Sequence, residues 1–268
     1  MEAYENKPLL VKGKIRKHKL ISNNYGEMVI EAPQIAKRAK PGQFVMLSRW
    51  QIKNLLLKRP FSFYQINPQE GRFTILYKIV GKGTEILSNS KIGDEIELIG
   101  PCGNGFLLPK EANRIALVAR GIGIATLLPL AQEASNRGIE IYSFLSAREK
   151  SLLLGRDSLE SLSFHTFYTT DDGSKGRKGK VTYFLEELLK ENKVNFEAVY
   201  TCGSKRLAQH IQELQQKFHF FSYVSLEERM GCGIGACKGC VIRTCHGYQR
   251  VCKEGPVFPL EEVMFYER

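Results

Sequence analysis

The 268-residue sequence lacks any long apolar run. A helix that spans a bilayer needs about 20 mostly apolar residues, so we expect no membrane-spanning segment. The first eight residues, Met1-Glu-Ala-Tyr-Glu-Asn-Lys-Pro8, also lack the apolar core of a secretory signal peptide. These two absences predict a cytoplasmic protein.

Several common catalytic patterns are missing as well. The five histidines show no metal-ligand spacing with one another. No Ser–His–Asp set or pair of catalytic carboxylates stands out. Asp171-Asp172 belongs to an Asp-Asp-Gly-Ser sequence that is typical of a turn. No internal repeat or low-complexity segment is visible.

What the chain does contain is an ordinary globular composition with a strong positive charge. Hydrophobic residues make up 43% and charged residues 25%, and the length suffices for two domains or for one large domain with an appendage. The formal net charge is +11. Because the basic residues are dispersed along the chain, we expect no nucleic-acid binding. Attraction to an anionic dinucleotide or to an acidic partner protein accounts for the charge equally well.

Five of the seven cysteines lie between residues 232 and 252, which indicates a metal site. The sequence Cys232-Gly-Ile-Gly-Ala-Cys237-Lys-Gly-Cys240, followed by Cys252, has the spacing C-x4-C-x2-C-x11-C. The first three positions match the plant-type pattern for a [2Fe–2S] cluster. The interleaved glycines tolerate positive φ, so the loop can turn its N–H groups toward the sulfurs.

Alternatives remain open for these cysteines. Four structural zinc ligands are one, although zinc sites more often contain two C-x2-C pairs and only one is present. Two disulfides are a weaker interpretation, because nothing else marks the chain as secreted. For the fourth ligand we favour Cys252, at a predicted strand end and turn, over Cys245 and His246.

Residues 9–100 are predicted to form short strands separated by turns, an arrangement typical of an antiparallel β-barrel. In Arg59-Pro60-Phe61-Ser62, the arginine can neutralise a diphosphate and the serine can reach a planar ring system. Further along, Gly81-Lys-Gly83-Thr84 leads into a short helix predicted at Thr84–Ser90, and the N–H groups at its start suit a phosphate. Taken alone, Arg59–Ser62 could be a surface strand end, whereas the two sequences together, in this order on a barrel, are more specific.

Residues 113–225 alternate between strand and helix patterns, with helices predicted at Leu127–Arg137 and Lys205–Phe218, and this alternation predicts a doubly wound parallel sheet. Ligands of such sheets bind beyond the carboxyl ends of the strands. One end carries Arg120-Gly121-Ile-Gly123, where a pyrophosphate could bind at the following helix; the alternative is a tight strand-to-helix turn. Gly and Pro residues at 101–108 mark a boundary. We therefore divide the chain into domains 1–106, 107–225 and 226–268.

Taken together, these pieces resemble the ferredoxin–NADP reductase superfamily. The cysteine loop narrows the resemblance to the electron-transfer subunits of NAD-dependent (class 1B) dihydroorotate dehydrogenases. The matching sequences cover almost the whole chain: Arg59–Ser62, Leu76–Lys78, Gly83-Thr84, Gly100–Phe106, Thr170–Ser174, Tyr200–Gly203, Glu228–Cys240 and Val251–Phe258. The resemblance implies an α+β multidomain fold with an FAD-binding barrel, an NAD-binding α/β sheet and a small C-terminal iron–sulfur loop domain.

The resemblance also implies an electron relay. NADH is the expected substrate, and FAD and a [2Fe–2S] cluster are the expected cofactors. The expected partner is the FMN-containing dihydroorotate dehydrogenase catalytic subunit of pyrimidine biosynthesis, in a heterotetramer. By position, the expected cofactor contacts are Arg59, Pro60, Phe61, Ser62, Leu76, Tyr77, Lys78, Gly83, Thr84, Gly121 and Gly123. The expected cluster ligands are Cys232, Cys237, Cys240 and Cys252.

Three positions depart from the family pattern. Arg120 stands where a glycine is usual, Thr126 where proline is common, and Lys78 where arginine is usual. Arg120 could crowd a nicotinamide or contact a phosphate. It favours a second hypothesis, a paralogue that serves another oxidoreductase in ferredoxin, sulfur or hydrogen metabolism. A third hypothesis is a zinc-bearing, non-enzymatic binding module.

Overall fold

The computed structural model describes residues 7–22, 24–49, 55–191 and 193–265. Residues 1–6, most of the segment tested for a signal peptide, lie outside these ranges. Among the described residues, no helix is both long enough and apolar enough to cross a bilayer.

An antiparallel sheet forms the N-terminal part of the fold. Within the described ranges it contains seven strands in the order β4-β3-β7-β1-β2-β6-β5. The strands are β1 (Leu9–Ser22), β2 (Tyr25–Glu31), β3 (Phe44–Ser48), β4 (Arg59–Ser62), β5 (Gln65–Asn67), β6 (Arg72–Lys78) and β7 (Glu95–Cys102). The edge strands β4 and β5 follow each other in the chain, separated only by Phe63-Tyr64. The sheet therefore curls back on itself as a barrel, as the turn-punctuated pattern predicts.

Alternating side chains fill this barrel. On β1, Ile15 is fully buried between the exposed Lys14 and Arg16, the period-two pattern of a strand with one wet face. The barrel core consists of such inward residues, and α1 (Pro33–Ala36) contributes Ile35 to it. A second short helix, α2 (Lys82–Ser88), follows β6 and begins two residues earlier than the predicted Thr84.

The second sheet is parallel except at one edge. Among the described residues its order is β11-β10-β9-β8-β12-β13-β16. The strands are β8 (Arg114–Arg120), β9 (Glu140–Ala147), β10 (His165–Thr170), β11 (Arg177–Lys178), β12 (Ala198–Cys202), β13 (Phe221–Ser225) and β16 (Val257–Pro259). The helices between them are α3 (Ile124–Asn136), α4 (Arg156–Glu160), α5 (Thr182–Lys190) and α6 (Lys205–Phe218). The predicted doubly wound sheet is confirmed.

The C-terminal region is tied to this second sheet. Its last strand, β16, pairs antiparallel with β13, so that Ser225 faces Val257. Between β13 and β16 lie the cysteine loop and a hairpin of β14 (Val241–Thr244) and β15 (Gly247–Arg250). Buried residues of the barrel, the parallel sheet and this region pack in one continuous cluster that includes Met46, Val224 and Cys252.

Candidate functional site

A cleft of about 490 Å³ lies between the barrel, the start of α3 and the segment that follows β13. This volume falls in the usual range for small-molecule and cofactor sites. The barrel wall brings together the residues predicted there from sequence. They are Arg59, Pro60, Phe61, Ser62, Leu76, Tyr77, Lys78, Gly83 and Thr84.

The barrel wall combines positive charge with a stiff loop. Arg59, Lys78 and Lys82 line the cleft, which suits a ligand that carries phosphates. The hydroxyl of Thr84 accepts hydrogen bonds from the N–H groups of Val80 and Gly81, at 2.9 and 3.2 Å. Thr84 therefore caps its own loop and fixes the shape of this wall.

The α/β sheet supplies a second wall through α3. Ile122, Ala125 and Thr126 line the cleft, but the predicted Gly121 and Gly123 do not. Gly121 has φ +56° at the turn after β8, and a Cβ on Gly123 would overlap the carbonyl of Cys202. These two glycines allow a tight turn and a close approach to β12. Their contact with a nucleotide stays a prediction.

The third wall was not predicted from sequence. The last residue of β13 and the segment that follows it line the cleft directly before the cysteine loop; these residues are Ser225, Leu226, Glu227, Glu228 and Met230. Glu228-Arg-Met230 begins the matching sequence Glu228–Cys240, but that sequence does not indicate that its side chains face a cleft formed by the barrel. The Glu227 side chain is exposed toward the cleft, and the protein packed around it removes part of its hydration and raises the pKa of its carboxyl.

The four predicted cluster ligands converge as two pairs. The N–H of Cys237 donates to Cys232 Sγ at 3.4 Å, and the N–H of Cys252 donates to Cys240 Sγ at 3.4 Å. Among the described residues, no group of three or more His, Cys, Asp or Glu side chains is arranged to hold a single metal ion. Two cysteine pairs instead suit a cluster of two irons, in which each iron takes two thiolates.

Backbone N–H groups point at the sulfurs, as the glycine-rich loop predicts. The N–H of Gly235 donates to Cys252 Sγ at 3.1 Å. Partial burial opposes ionisation of Cys232, but N–H groups including that of Cys237 lower the pKa of its thiol to about 7. Burial and the neighbouring Cys240 raise the pKa of Cys252 to about 12. The donor set fits a positively charged iron centre, which binds thiolates and lowers such pKa values further.

The hairpin separates Cys252 from its competitor Cys245. Val241 pairs with Arg250 at the base of the hairpin, and the N–H of Val251 donates to the carbonyl of Cys240. Cys240 and Cys252 thus flank the base, while Cys245 is exposed at the tip. Four residues of strand at about 3.3 Å each put the tip roughly 13 Å from the base. His246 shares that tip, so this geometry favours Cys252.

The cysteine loop packs directly on the barrel. Gly233, with φ +71°, lies so close to Met46 that a Cβ would overlap the Met46 side chain. Met46 is fully buried on β3, two residues from Phe44, which lines the cleft. The cleft and the cysteine loop are therefore neighbours on both the barrel side and the Glu228–Met230 side.

Arg120 lies at the carboxyl edge of the parallel sheet. Its guanidinium donates to both carboxylate oxygens of Asp171, at 3.2 and 2.7 Å. The pair reaches from β8 to the end of β10 and is partly exposed. Arg120 is thus held beside the turn at Gly121.

Comparisons with known proteins agree with both parts of the site. Residues 12–106 match the family model described as the oxidoreductase FAD-binding domain. Residues 227–264 match the iron–sulfur cluster binding domain of dihydroorotate dehydrogenase B. The dihydroorotate dehydrogenase B (NAD(+)) electron transfer subunit of Caldanaerobacter subterraneus subsp. tengcongensis is 40% identical over 259 residues, which cover 95% of this chain and 98% of that protein.

This chain belongs to the family of dihydroorotate dehydrogenase B electron transfer subunits. The subunit from Desulforamulus reducens is 37% identical over 250 residues, with 92% of this chain and 95% of that protein covered. The chain is an oxidoreductase subunit that carries an FAD-binding domain and a domain for an iron–sulfur cluster. These matches do not support the zinc-bearing module.

A solved structure is also similar over nearly the whole chain. It is described as an NADH-dependent reduced ferredoxin-NADP oxidoreductase in a study of flavin-based electron bifurcation. The TM-score is 0.83 and the sequence identity 32%, with 94% of this chain and 89% of that chain covered. The fold is therefore that of ferredoxin–NADP reductases, with an added cluster loop.

Proposed function

We propose that the chain passes electrons from NADH, through FAD and a [2Fe–2S] cluster, to the FMN of a dihydroorotate dehydrogenase catalytic subunit in pyrimidine biosynthesis. When bound, FAD accepts a hydride and gives up its electrons singly, and the cluster carries one electron at a time. The protein's own residues bind these groups and hold them next to each other.

One observation carries the proposal: the cleft and the cysteine loop share a wall. Met230 lines the cleft and lies two residues before Cys232. On the opposite side, Phe44 lines the cleft, and Met46 on the same strand contacts Gly233. Because the packed protein between the two sites is only a few side chains thick, electrons can pass without a further carrier.

The proposed roles follow this arrangement. The nine predicted barrel residues that line the cleft hold FAD, with Arg59 and Lys78 beside its phosphates. Cys232 and Cys237 hold one iron, and Cys240 and Cys252 hold the other. We assign FAD binding to residues 1–106, NADH binding to residues 107–225 and cluster binding to residues 226–268, whose strand β16 pairs with β13 of the middle region.

NADH is proposed to enter at the turn Gly121–Gly123, at the carboxyl edge of the parallel sheet. Ile122 lies between the two glycines and lines the flavin cleft, so a nicotinamide at this turn would face the flavin. Arg120 lies beside the entrance, where its pair with Asp171 must open or shift for the nucleotide to bind.

As an electron transfer subunit, the chain requires a catalytic partner. We propose the FMN-containing dihydroorotate dehydrogenase subunit, in a heterotetramer with two copies of each chain. The exposed Cys237 side of the cysteine loop, with the exposed Ile234, is the proposed exit for electrons. The proposed location is the cytoplasm, where free thiols escape oxidation to disulfides.

Co-expression with the candidate catalytic subunit tests the proposal. The expected complex co-purifies, contains FAD, FMN and about two irons per pair of chains, and reduces orotate with NADH. The isolated chain should oxidise NADH with an artificial acceptor but leave orotate unchanged. A chain that binds FAD and iron yet never joins or reduces the catalytic subunit would exclude this partner.

A second candidate is a subunit of a ferredoxin-linked oxidoreductase. The similarity to the NADH-dependent ferredoxin-NADP oxidoreductase over 94% of the chain favours it, as does the unusual Arg120. Purification from the native host separates the two candidates, because under the second one the co-purifying protein would lack dihydroorotate dehydrogenase activity.

A further inference from the structure

Three polar side chains form a short hydrogen-bonded series at the cleft. Cys202 Sγ donates to Thr126 Oγ1 at 3.6 Å, and Thr126 Oγ1 donates to Ser62 Oγ at 3.0 Å. The three residues come from β12, α3 and β4, and Ser62 and Thr126 both line the cleft. Cys202 and Thr126 are each 2% exposed, so water does not compete for these contacts.

The chemistry of the thiol sets the direction of the series. Burial raises the pKa of Cys202 to about 12, so the thiol keeps its proton at neutral pH and acts as a donor. The Thr126 oxygen accepts the hydrogen bond from this thiol, and the hydrogen of the Thr126 hydroxyl points to Ser62. Ser62 Oγ has no other side-chain partner among the described residues, and its own hydrogen is left to point into the cleft.

We propose that Thr126 is a positioning residue that holds the Ser62 hydroxyl as a hydrogen-bond donor toward the flavin ring. The ring nitrogens and carbonyls of a flavin are acceptors, and a hydroxyl that already accepts a bond from Thr126 is a better donor to them. This inference rests on the proposed binding of FAD in the cleft.

Thr126 also joins the barrel to the α/β sheet, and a purely structural link has to be distinguished from positioning. A structural link would lower the unfolding free energy of the FAD-free chain, which urea unfolding measures, and would leave the spectrum of the bound flavin unchanged. Positioning acts on FAD through Ser62 alone, so the effects of changing the two residues on FAD affinity must not add. A double-mutant cycle measures this non-additivity directly.

The experiment uses the full chain with its cluster in place and its flavin removed, and measures the dissociation constant of FAD by fluorescence titration. Thr126→Val keeps the side-chain shape and removes the hydroxyl, and we expect FAD binding about 2- to 10-fold weaker, the effect of one net hydrogen bond. Thr126→Ser keeps the hydroxyl, so its dissociation constant for FAD should stay within about 2-fold of the wild-type value, a smaller change than the loss of one hydrogen bond causes. Ser62→Ala should match Thr126→Val, and the double variant should bind no more weakly than Ser62→Ala.

A matched control is Thr169→Val. Thr169 is 1% exposed on β10, and its hydroxyl lacks a partner among the described residues, so its loss should leave FAD affinity unchanged. The visible spectrum of the bound flavin is a second readout, which Thr126→Val and Ser62→Ala should shift in the same direction. If Thr126→Val fails to fold, Thr126→Ala takes its place in the cycle.

Additive effects of Thr126→Val and Ser62→Ala, or wild-type affinity and spectrum in Thr126→Val, would overturn the positioning role. A wild-type chain that does not bind FAD would instead refute the proposed function, so the two failures are distinguishable.

Discussion

The contact between the cysteine loop and the barrel gives a sharp prediction for Gly233→Ala. Gly233 has φ +71°, and a non-glycine residue in this region costs about 1–2 kcal/mol. The added Cβ would also overlap the side chain of Met46, which is fully buried and cannot move aside freely. Overpacking of this kind costs about 1–3 kcal/mol, so the expected loss of stability is about 2–5 kcal/mol.

Gly247→Ala separates the two costs. Gly247 lies in the nearby hairpin with φ +93°, and a Cβ there meets no atom within 4 Å. Gly247→Ala should therefore lower the free energy of unfolding only by the backbone cost of about 1–2 kcal/mol. The difference between the two variants isolates the overlap with Met46.

Urea unfolding followed by circular dichroism measures the free energies, and loss of visible absorbance during the same titration reports on the cluster. We expect Gly233→Ala to lose its cluster at lower urea than Gly247→Ala and to carry less iron as purified. Equal behaviour of the two variants would refute the view that Met46 restrains the loop.

Three further predictions concern the site. Cys252→Ser should reduce iron from about two per chain to near zero, while Cys245→Ser should keep its iron and its visible spectrum; the reverse result would make Cys245 the ligand. Arg120→Gly should lower the KM for NADH by up to about 5-fold with unchanged FAD content, since an exposed ion pair is worth about 1 kcal/mol at most; a raised KM would mean that Arg120 binds the nucleotide. Glu227 has a folded-state pKa above its ordinary value of 4.5. Its contribution to stability is therefore fully present below pH 4.5 and is lost as the pH rises through the folded-state pKa. The melting temperature of FAD-free Glu227→Gln should match that of wild type in acid and exceed it at higher pH.

Local patterns in the sequence were sufficient for most of the fold. The short strands and turns of residues 9–100 predicted the barrel, and the strand–helix order after residue 113 predicted the parallel sheet. The helix at Lys205–Phe218 was predicted with its observed bounds, because its apolar face repeats at the helical period. The start of α3 was predicted three residues too late, because the turn Gly121–Gly123 continues directly into the helix.

The candidate site, like the fold, was predicted only in part from the sequence. Arg59–Ser62 and the cysteine spacing are short motifs, and a short motif keeps its residues together in any fold that contains it. Glu227 and Thr126 were not predicted as cleft residues, because each meets the barrel only after the sheets pack. Thr126 and Ser62 are 64 positions apart in the chain, and neither position alone indicates the other.

The sequence by itself determined which chemistry this protein can hold, since ligand type and spacing select a cluster and basic residues among turns select a phosphate-bearing cofactor. Only the tertiary structure decided which groups meet. It placed Cys252 rather than Cys245 beside Cys240, set Gly233 against Met46, and brought a hydroxyl from α3 to Ser62. The physical reason is that such contacts depend on the packing of sheets distant in the chain, whereas a motif depends only on neighbouring residues.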